Sequence, residues 1–136
     1  MASINFRKFC TSSGKDIVCG KSAEQNEYLV EQSKENEIVI HTKSPGSPFC
    51  NIKGKANKQD IKETAVICAA FSKAWKTKKS DIEVHVFRGK DIFKKADMKT
   101  GTFGVKKAKS IKIKKADIES FLEGKLSARN RRCLTK

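Results

Sequence analysis

Apolar and polar residues alternate along several short segments of this chain, and that period of two predicts β-strands. The clearest case is 82–87, where Ile82, Val84 and Val86 share one face. A β-branched run at 37–41 predicts another strand. These segments predict a sheet of short strands, whose other members lie at 6–10, 17–20, 49–53, 101–105 and 111–114.

The segment 57–77 has the pattern of a buried helix. Asn57 is a favourable N-cap, and apolar residues then occupy most sides of the predicted helix. A helix that is apolar on most sides is buried against a sheet rather than lying on the surface. Small residues, among them Ala65, Ala69 and Ser72, let it approach that sheet closely.

Two shorter helices complete the predicted fold. Ser22 and Gln25 fit a capping box at the start of a helix over 23–32, and 116–123 carries a second apolar stripe. The fold class is therefore α+β: a single domain whose mostly antiparallel sheet is packed by one long buried helix and two shorter ones. The predicted organisation is a domain at 1–126 and a basic tail at 127–136.

Two hairpins are predicted from turn residues. A two-residue loop at 14–15 would place Cys10 opposite Cys19. A lysine-rich turn would join the last two predicted strands and form a basic tip. The lysines of that tip are Lys106, Lys107 and Lys109, and Lys112 lies on the solvent face of the last strand.

The five cysteines are scattered, and no Cys-x-x-Cys occurs. Metal sites need closely spaced ligand pairs, so no metal and no cofactor is expected, and the thiols read as small core residues of a reducing compartment. No apolar run is long enough to span a bilayer, and no secretory signal opens the chain. We expect a cytoplasmic protein without membrane contact.

Charge then changes the picture from fold to function. The chain carries 30 Lys and Arg against 15 Asp and Glu, a net charge of +15. A folded domain with this excess suits a polyanionic partner, of which nucleic acid is the first choice. Because the cations are mostly lysines, they favour phosphate contacts over base reading. The alternative is a surface that serves solubility.

One basic cluster surrounds the only tryptophan. Lys73, Lys76, Lys78 and Lys79 flank Trp75 near the end of the long helix. Lysines there also interact favourably with the helix dipole, yet an aromatic among lysines is typical of surfaces on which bases stack. Trp75 is equally compatible with the core.

A second candidate is the turn from His41 to Ser47. Gly46 and the hydroxyl groups around it are suited to a backbone nest for a phosphate, and the alternative is a turn stiffened by proline. The sequence contains no nucleophile and general base at the spacing of a known catalytic motif, no phosphate-binding glycine motif and no paired carboxylates in an apolar setting. We therefore expect no enzyme activity.

Four stretches in order, between about residues 6 and 115, resemble one known family, the NFACT-R domain. They are Phe6-Arg7-Lys8-Phe9 with Ser12-Ser13-Gly14 and Cys19 to Glu27; His41-Thr42-Lys43 with Pro45-Gly46-Ser47; Ala69 to Trp75, ending Ser-Lys-Ala-Trp; and the closing Gly101-Thr-Phe-Gly-Val and Lys-Ser-Ile-Lys-Ile segments. Many members carry a further histidine near the Pro-Gly-Ser turn, where this chain has Pro45 and Pro48.

The resemblance implies a mixed α+β fold and RNA binding. In the large members, this domain belongs to ribosome-associated quality-control factors that recognise the large ribosomal subunit with tRNA. The free-standing form known from archaea and eukaryotes is the closer likeness at this length.

The resulting hypothesis is a non-enzymatic module of the translation apparatus that binds structured RNA, either rRNA or tRNA, and the resemblance implies a link to ribosome-associated quality control. Three alternatives stay open: an adaptor that docks to a ribosomal or RNA-modifying protein, a DNA-binding module, and an RNA-directed enzyme using His41 or Cys50. The predicted RNA-binding residues are Lys21, Gln25, Asn26, His41, Thr42, Lys43, Gly46, Ser47, Ser72, Lys73, Trp75, Lys76, Lys78, Lys79, Lys106, Lys107, Lys109 and Lys112.

Overall fold

The computed structural model describes residues 5–124. The predicted tail at 127–136 lies outside the described residues. The strands are β1 (Arg7–Cys10), β2 (Asp16–Cys19), β3 (Ile38–Thr42), β4 (Cys50–Ile52), β5 (Ile82–Arg88), β6 (Ile92–Phe93), β7 (Gly104–Val105) and β8 (Lys109–Ile113). The helices are α1 (Ala23–Gln32), α2 (Lys58–Ala70), α3 (Lys73–Lys78) and α4 (Lys115–Leu122).

Six strands form one antiparallel sheet in the order β1-β2-β4-β3-β5-β8, and β6 pairs with β7 as a separate ribbon. The predicted α+β class with a mostly antiparallel sheet is confirmed. No helix within residues 5–124 is long and apolar enough to cross a membrane.

Because strand side chains alternate between two faces, the sheet supports two apolar clusters. On one face, Ile40 and Val84 pack with α2 and α4 in the larger cluster. On the other, Val39 and Phe87 pack with Leu29 of α1 and with the β6–β7 ribbon. The sheet is thus covered by α2 and α4 on one side, and in part by α1 and the ribbon on the other.

The predicted long helix is two helices. Phe71 leaves helical geometry, and Ser72 is extended and caps α3, its hydroxyl accepting a hydrogen bond from the Trp75 N–H at 3.1 Å. Serine is a good N-cap and a weaker helix former, so the chain turns here. The predicted N-cap Asn57 is confirmed, with a complete capping box to Asp60.

Of the two predicted hairpins, the first forms with a different loop and register, and the second does not form. The β1–β2 connection has five residues, 11–15, so Arg7 opposes Cys19 and Cys10 opposes Asp16. The strands predicted at 101–105 and 111–114 do not pair with each other, because β7 joins β6 and β8 joins β5. Lys106 and Lys107 therefore lie in a connection between two sheets rather than on a hairpin tip, and Lys109 is the first residue of β8.

Candidate nucleic-acid interface

The His41 turn lies beside a cavity of about 750 Å³ at one end of the sheet. Its lining residues come from the turn between β3 and β4, the start of α1, the segment 100–103, and Phe71 with Lys76. We call this cavity the cationic pocket because its charged lining residues are all cations: Arg7, Lys21, Lys43 and Lys76.

The β3–β4 turn is fixed by internal hydrogen bonds. The Thr42 N–H donates to the Ser47 hydroxyl at 3.1 Å, and the Thr42 hydroxyl donates to the Ser44 carbonyl at 2.6 Å. Gly46 has a φ of +92°, in the region that disfavours residues with a Cβ. Its carbonyl accepts a bond from the Lys73 N–H at 2.8 Å, so the turn docks directly on the start of α3.

His41 stands as a neutral aromatic side chain in this wall. Its ring lies 4.2 Å from that of Phe49, and its Nδ1 lies 2.8 Å from the Thr42 carbonyl. A carbonyl only accepts, so Nδ1 carries the proton. Burial lowers the pKa of His41, against the hydrogen bond to Thr42, and the neighbouring His85 lowers it further. The ring is therefore uncharged at neutral pH.

The cations of the pocket have little anionic compensation from the described residues. Among residues 5–124, no carboxylate lines the cavity. Arg7 lies over the Phe71 ring at 4.2 Å, and Lys43 has a 3.8 Å contact with Glu83, in which both side chains are exposed. Exposed pairs of this kind contribute little. The local field is therefore positive and open to an anion.

Several predicted site residues stabilise the local structure around the pocket. Asn26 is buried and accepts a hydrogen bond from the Phe49 N–H at 3.2 Å. The Gln25 side chain accepts a hydrogen bond from the Lys21 N–H at 2.9 Å. In the predicted capping box this bond would come from the N–H of the N-cap, Ser22, so the observed donor is the residue before the N-cap. Ser72 is buried as the cap of α3.

Trp75 lies with the core. Its side chain is 4% exposed, and it belongs to the cluster that packs α2 against the sheet. The Lys79 ammonium group lies 5.3 Å from the centre of its ring. The structure thus offers no exposed tryptophan face for a base at this position.

The other predicted lysines are exposed but lie outside the pocket. Lys73 and Lys78 line a neighbouring groove, which also contains Asp81 and Glu83. On the edge strand β8, Lys112 lies opposite Glu83. The structure therefore brings eight of the predicted residues around one cavity: Lys21, Asn26, His41, Thr42, Lys43, Gly46, Ser47 and Lys76. The lysines that lie on the surface outside it are Lys73, Lys78, Lys79, Lys106, Lys107, Lys109 and Lys112.

Sequence reasoning missed the aromatic and arginine contributions to the pocket. Arg7 and Phe103 belong to stretches that carry the family resemblance, which was a usable signal. Phe71 belongs to another of these stretches, Ala69 to Trp75, but its position in the predicted helix reads as core. Phe49 and Phe87 are buried and read as ordinary strand residues.

Two further observations bear on chemistry at this end of the sheet. Within the described part of the chain, no group of three or more His, Cys, Asp or Glu side chains is arranged to hold a metal ion. Cys50 is fully buried, and burial raises the pKa of its thiol well above the ordinary value. A protonated buried thiol is a poor nucleophile.

Comparison with known proteins supplies the family. A relative from Bacillus subtilis, "Rqc2 homolog RqcH", is 41% identical over 66 residues, which cover 47% of this chain and 12% of that protein. The chain thus spans about an eighth of that relative's length. The C-terminal part of the fibronectin/fibrinogen-binding protein from Streptococcus suis shares the fold, with a TM-score of 0.76 and 21% identity over 88% of this chain and 50% of that one. The model of the NFACT protein RNA binding domain matches residues 5–107, and the chain therefore belongs to that family.

Proposed function

We propose that this chain is a non-enzymatic module that binds structured RNA of the translation apparatus, rRNA or tRNA, through the cationic pocket and the lysines around it. The observation that carries the proposal is the lining of the pocket, which contains four cations and, among the described residues, no carboxylate. A concave surface of one charge concentrates the field and attracts a polyanion.

The comparisons support this proposal in a coarser form. The family is one of RNA-binding domains, and the similarity to Rqc2 homolog RqcH supports a role connected with ribosome quality control. The choice of rRNA or tRNA, and of the ribosome as a partner, is part of the proposal.

The side chains of the pocket suggest how binding works. Lysine ammonium groups act as mobile point charges that neutralise phosphates and release counterions. Arg7 presents a planar guanidinium group that suits two-point contact with a phosphate. His41, neutral at pH 7, contributes shape rather than charge, and the high pKa of the Cys50 thiol argues against its use as a nucleophile.

A charge-reversal experiment tests the proposal. The triple variant Lys21→Glu, Lys43→Glu and Lys76→Glu reverses three charges in the pocket. The matched control, Lys34→Glu, Lys55→Glu and Lys58→Glu, makes the same change in net charge on exposed residues at the other end of the sheet. Affinity for purified rRNA and tRNA is measured for both at several salt concentrations, with duplex DNA as competitor.

We expect the pocket variant to lose most of its RNA affinity and salt dependence, while the control keeps both. Crosslinking in cells should then recover large-subunit rRNA or tRNA with the wild type and not with the pocket variant. Equal losses in both variants would show that only total charge matters. Capture of a protein partner in a nuclease-resistant complex, without RNA, would contradict the proposal in favour of an adaptor.

A further inference from the structure

Concavity distinguishes the cationic pocket from a surface that only tracks phosphates. Its volume of about 750 Å³ falls in the range of about 300–1,000 Å³ typical of small-ligand sites. A duplex backbone needs a groove or a flat basic face, whereas a cavity of this size has room for one flat group to enter. The shape of the cavity therefore favours a ligand smaller than a nucleic-acid duplex.

The lining combines that shape with aromatic surface. Four of the eight phenylalanines of the chain line the pocket, together with His41. Phe103 and Phe71 are half-buried, and each ring has a cation over it, Lys94 at 4.7 Å from the centre of Phe103 and Arg7 at 4.2 Å from the centre of Phe71. Phe103 packs edge-on against Phe49, with ring centres 5.3 Å apart. Unstacked bases are recognised on aromatic side chains of this kind.

The wall that carries Phe103 is held in place before any ligand arrives. Glu27 of α1 accepts hydrogen bonds from the Gly101 N–H and from the Lys94 ammonium group, both at 2.6 Å. Lys94 in turn donates to the Thr102 carbonyl at 2.8 Å. A wall fixed in this way lowers the ordering cost of binding.

Because its carboxylate is bound by the Gly101 N–H and by Lys94, Glu27 does not contribute an acceptor to the pocket. Hydrogen bonding to Lys94, against a smaller effect of burial, holds the pKa of Glu27 below its ordinary value. Its carboxylate is therefore ionised and already occupied by donors. The pocket itself remains cationic, which favours an anionic aromatic ligand over a neutral one.

We propose that the cationic pocket takes one unpaired nucleotide of the bound RNA, with its base against Phe103 and its phosphates near Lys21, Lys43 and Lys76. The inference rests on the proposed function and adds that binding requires a base outside a duplex. A free nucleoside monophosphate has the same chemistry, and the experiment separates the two sources.

The first arm varies the RNA. A hairpin with one bulged nucleotide is compared with the same hairpin fully paired, and free AMP and UMP are compared with inorganic phosphate. We expect the bulged hairpin to bind about fivefold more tightly or better, a factor equal to the lower end of base–aromatic stacking. The nucleotides should shift amide resonances of residues 100–103 at millimolar concentration, and phosphate should not.

The second arm varies the protein. Thr102→Trp fills the pocket from an exposed position without changing charge, and Ala116→Trp adds the same bulk on exposed α4, on the other face of the sheet. Phe103→Leu keeps apolar packing against Phe49 while removing the aromatic ring, and serves if the bulky variant does not fold. We expect Thr102→Trp and Phe103→Leu to abolish the preference for the bulge, and Ala116→Trp to keep it.

The two proposals fail differently. If paired and bulged hairpins bind equally well and Thr102→Trp changes nothing, the nucleotide pocket is refuted while RNA binding stands. If free nucleotides bind more tightly than the bulged hairpin, the occupant is not part of RNA and the inference is overturned. If the wild type binds neither hairpin, the proposed function fails as well.

Discussion

The two ends of the sheet differ in how far charged side chains are paired with groups of opposite charge or with hydrogen-bond donors. At the end that holds the β1–β2 loop, the carboxylates of α2 are buried and fully used. Asp60 accepts a hydrogen bond from the Ser13 hydroxyl at 2.6 Å and pairs with Lys15 at 3.5 Å, while Glu63 accepts two bonds from Ser12 at 2.6 and 2.8 Å. We call this arrangement of 11–15 with Asp60 and Glu63 the anchored loop.

The cationic pocket at the other end has no such arrangement. Its four cations face a cavity that no carboxylate of the described chain lines. The contrast shows where this chain uses its few acids. Where the fold needs a loop held in place, charge is compensated. Where the proposed ligand enters, the described residues compensate the charge only through the exposed contact between Lys43 and Glu83, and the excess has some cost in self-repulsion.

The pKa of the Asp60 carboxyl is set by the same contacts of the anchored loop. Burial acts to raise the pKa of Asp60, but hydrogen bonds from Ser13 and the Asn57 backbone, and the charge of Lys15, hold that pKa below its ordinary value. A carboxyl with a lowered folded-state pKa stabilises the fold at neutral pH, and this contribution is lost as pH falls below about 4.

The largest effect should come from breaking the anchored loop. Asp60→Ala removes the acceptor for Ser13 and for the Asn57 N–H at a position that is 0% exposed. Because hydrogen bonds to a charged group are worth about 1.5–3 kcal/mol each, we expect the free energy of unfolding to fall by about 3 kcal/mol, measured by urea denaturation.

A matched control isolates burial from charge. Asp97→Ala makes the same change at an exposed position and should alter the free energy of unfolding by less than about 0.5 kcal/mol. RNA affinity of the folded Asp60→Ala protein should equal that of the wild type. A loss of stability below about 1 kcal/mol would mean that the loop is not anchored by this carboxylate.

Two glycines with the same backbone angle sharpen the comparison. Gly14 in the anchored loop and Gly46 beside the pocket both have a φ of +92°, so an alanine at either position costs about 1–2 kcal/mol of backbone strain. A Cβ at Gly14 meets nothing within 4 Å, whereas at Gly46 it lies 3.0 Å from the Lys73 Cβ. Gly46→Ala must therefore also displace the start of α3.

We expect both variants to melt at lower temperature, Gly46→Ala more than Gly14→Ala, because only the former adds a steric contact to the strain. RNA affinity should fall in Gly46→Ala alone. Equal RNA affinities for the two variants would show that the contact between the turn and α3 is unimportant for binding.

The parts of the fold that were predictable are those set by local signals. The predicted limits of α1 agree with Ala23–Gln32, because Ser22 provides a hydrogen-bonded cap. Alternation of apolar residues located β5 correctly. The break between α2 and α3 was not predictable from hydrophobicity, because apolar residues continue through Phe71 and the capping of Ser72 competes with helix continuation.

Tertiary pairing was beyond the local signals. The strand β6 has only two residues, and it pairs with β7, the strand that was predicted to pair with the last strand of the chain. A segment that short has no period to detect. The turn from His41 to Ser47 and the cluster around Trp75 were predicted as candidate sites from local sequence. The pocket could not be predicted in this way, because Arg7, Phe71 and Phe103 come together only through contacts between distant segments.

A smaller effect is expected from titration of His41. Its folded-state pKa is lowered from the ordinary 6.5 by burial and by His85. Above pH 6.5 the lowered pKa does not affect the free energy of unfolding. At lower pH the unfolded state binds a proton at His41 more readily than the folded state does, so the free energy of unfolding falls. We expect a loss of about 0.5–1 kcal/mol between pH 7.5 and 5.5, at most about 1.4 kcal/mol per pH unit.

The variant His41→Phe tests this assignment. It keeps an aromatic ring against Phe49 but cannot titrate, so the free energy of unfolding should lose most of its slope in this pH range. Both proteins are compared by urea denaturation at each pH. An unchanged slope would assign the pH dependence to another group.

The smallest effect should be the removal of one pocket charge. Lys76→Gln leaves the free energy of unfolding within about 0.5 kcal/mol of the wild type, because Lys76 is exposed and lines the pocket. If Lys76 contacts one phosphate, the slope of log affinity against log salt should shrink by about 0.7–0.9. Lys58→Gln, on an exposed residue at the start of α2 near the anchored loop, should leave that slope unchanged. If both substitutions reduce it equally, the bound RNA does not distinguish the two ends of the sheet, and the contrast in charge between them would not guide binding.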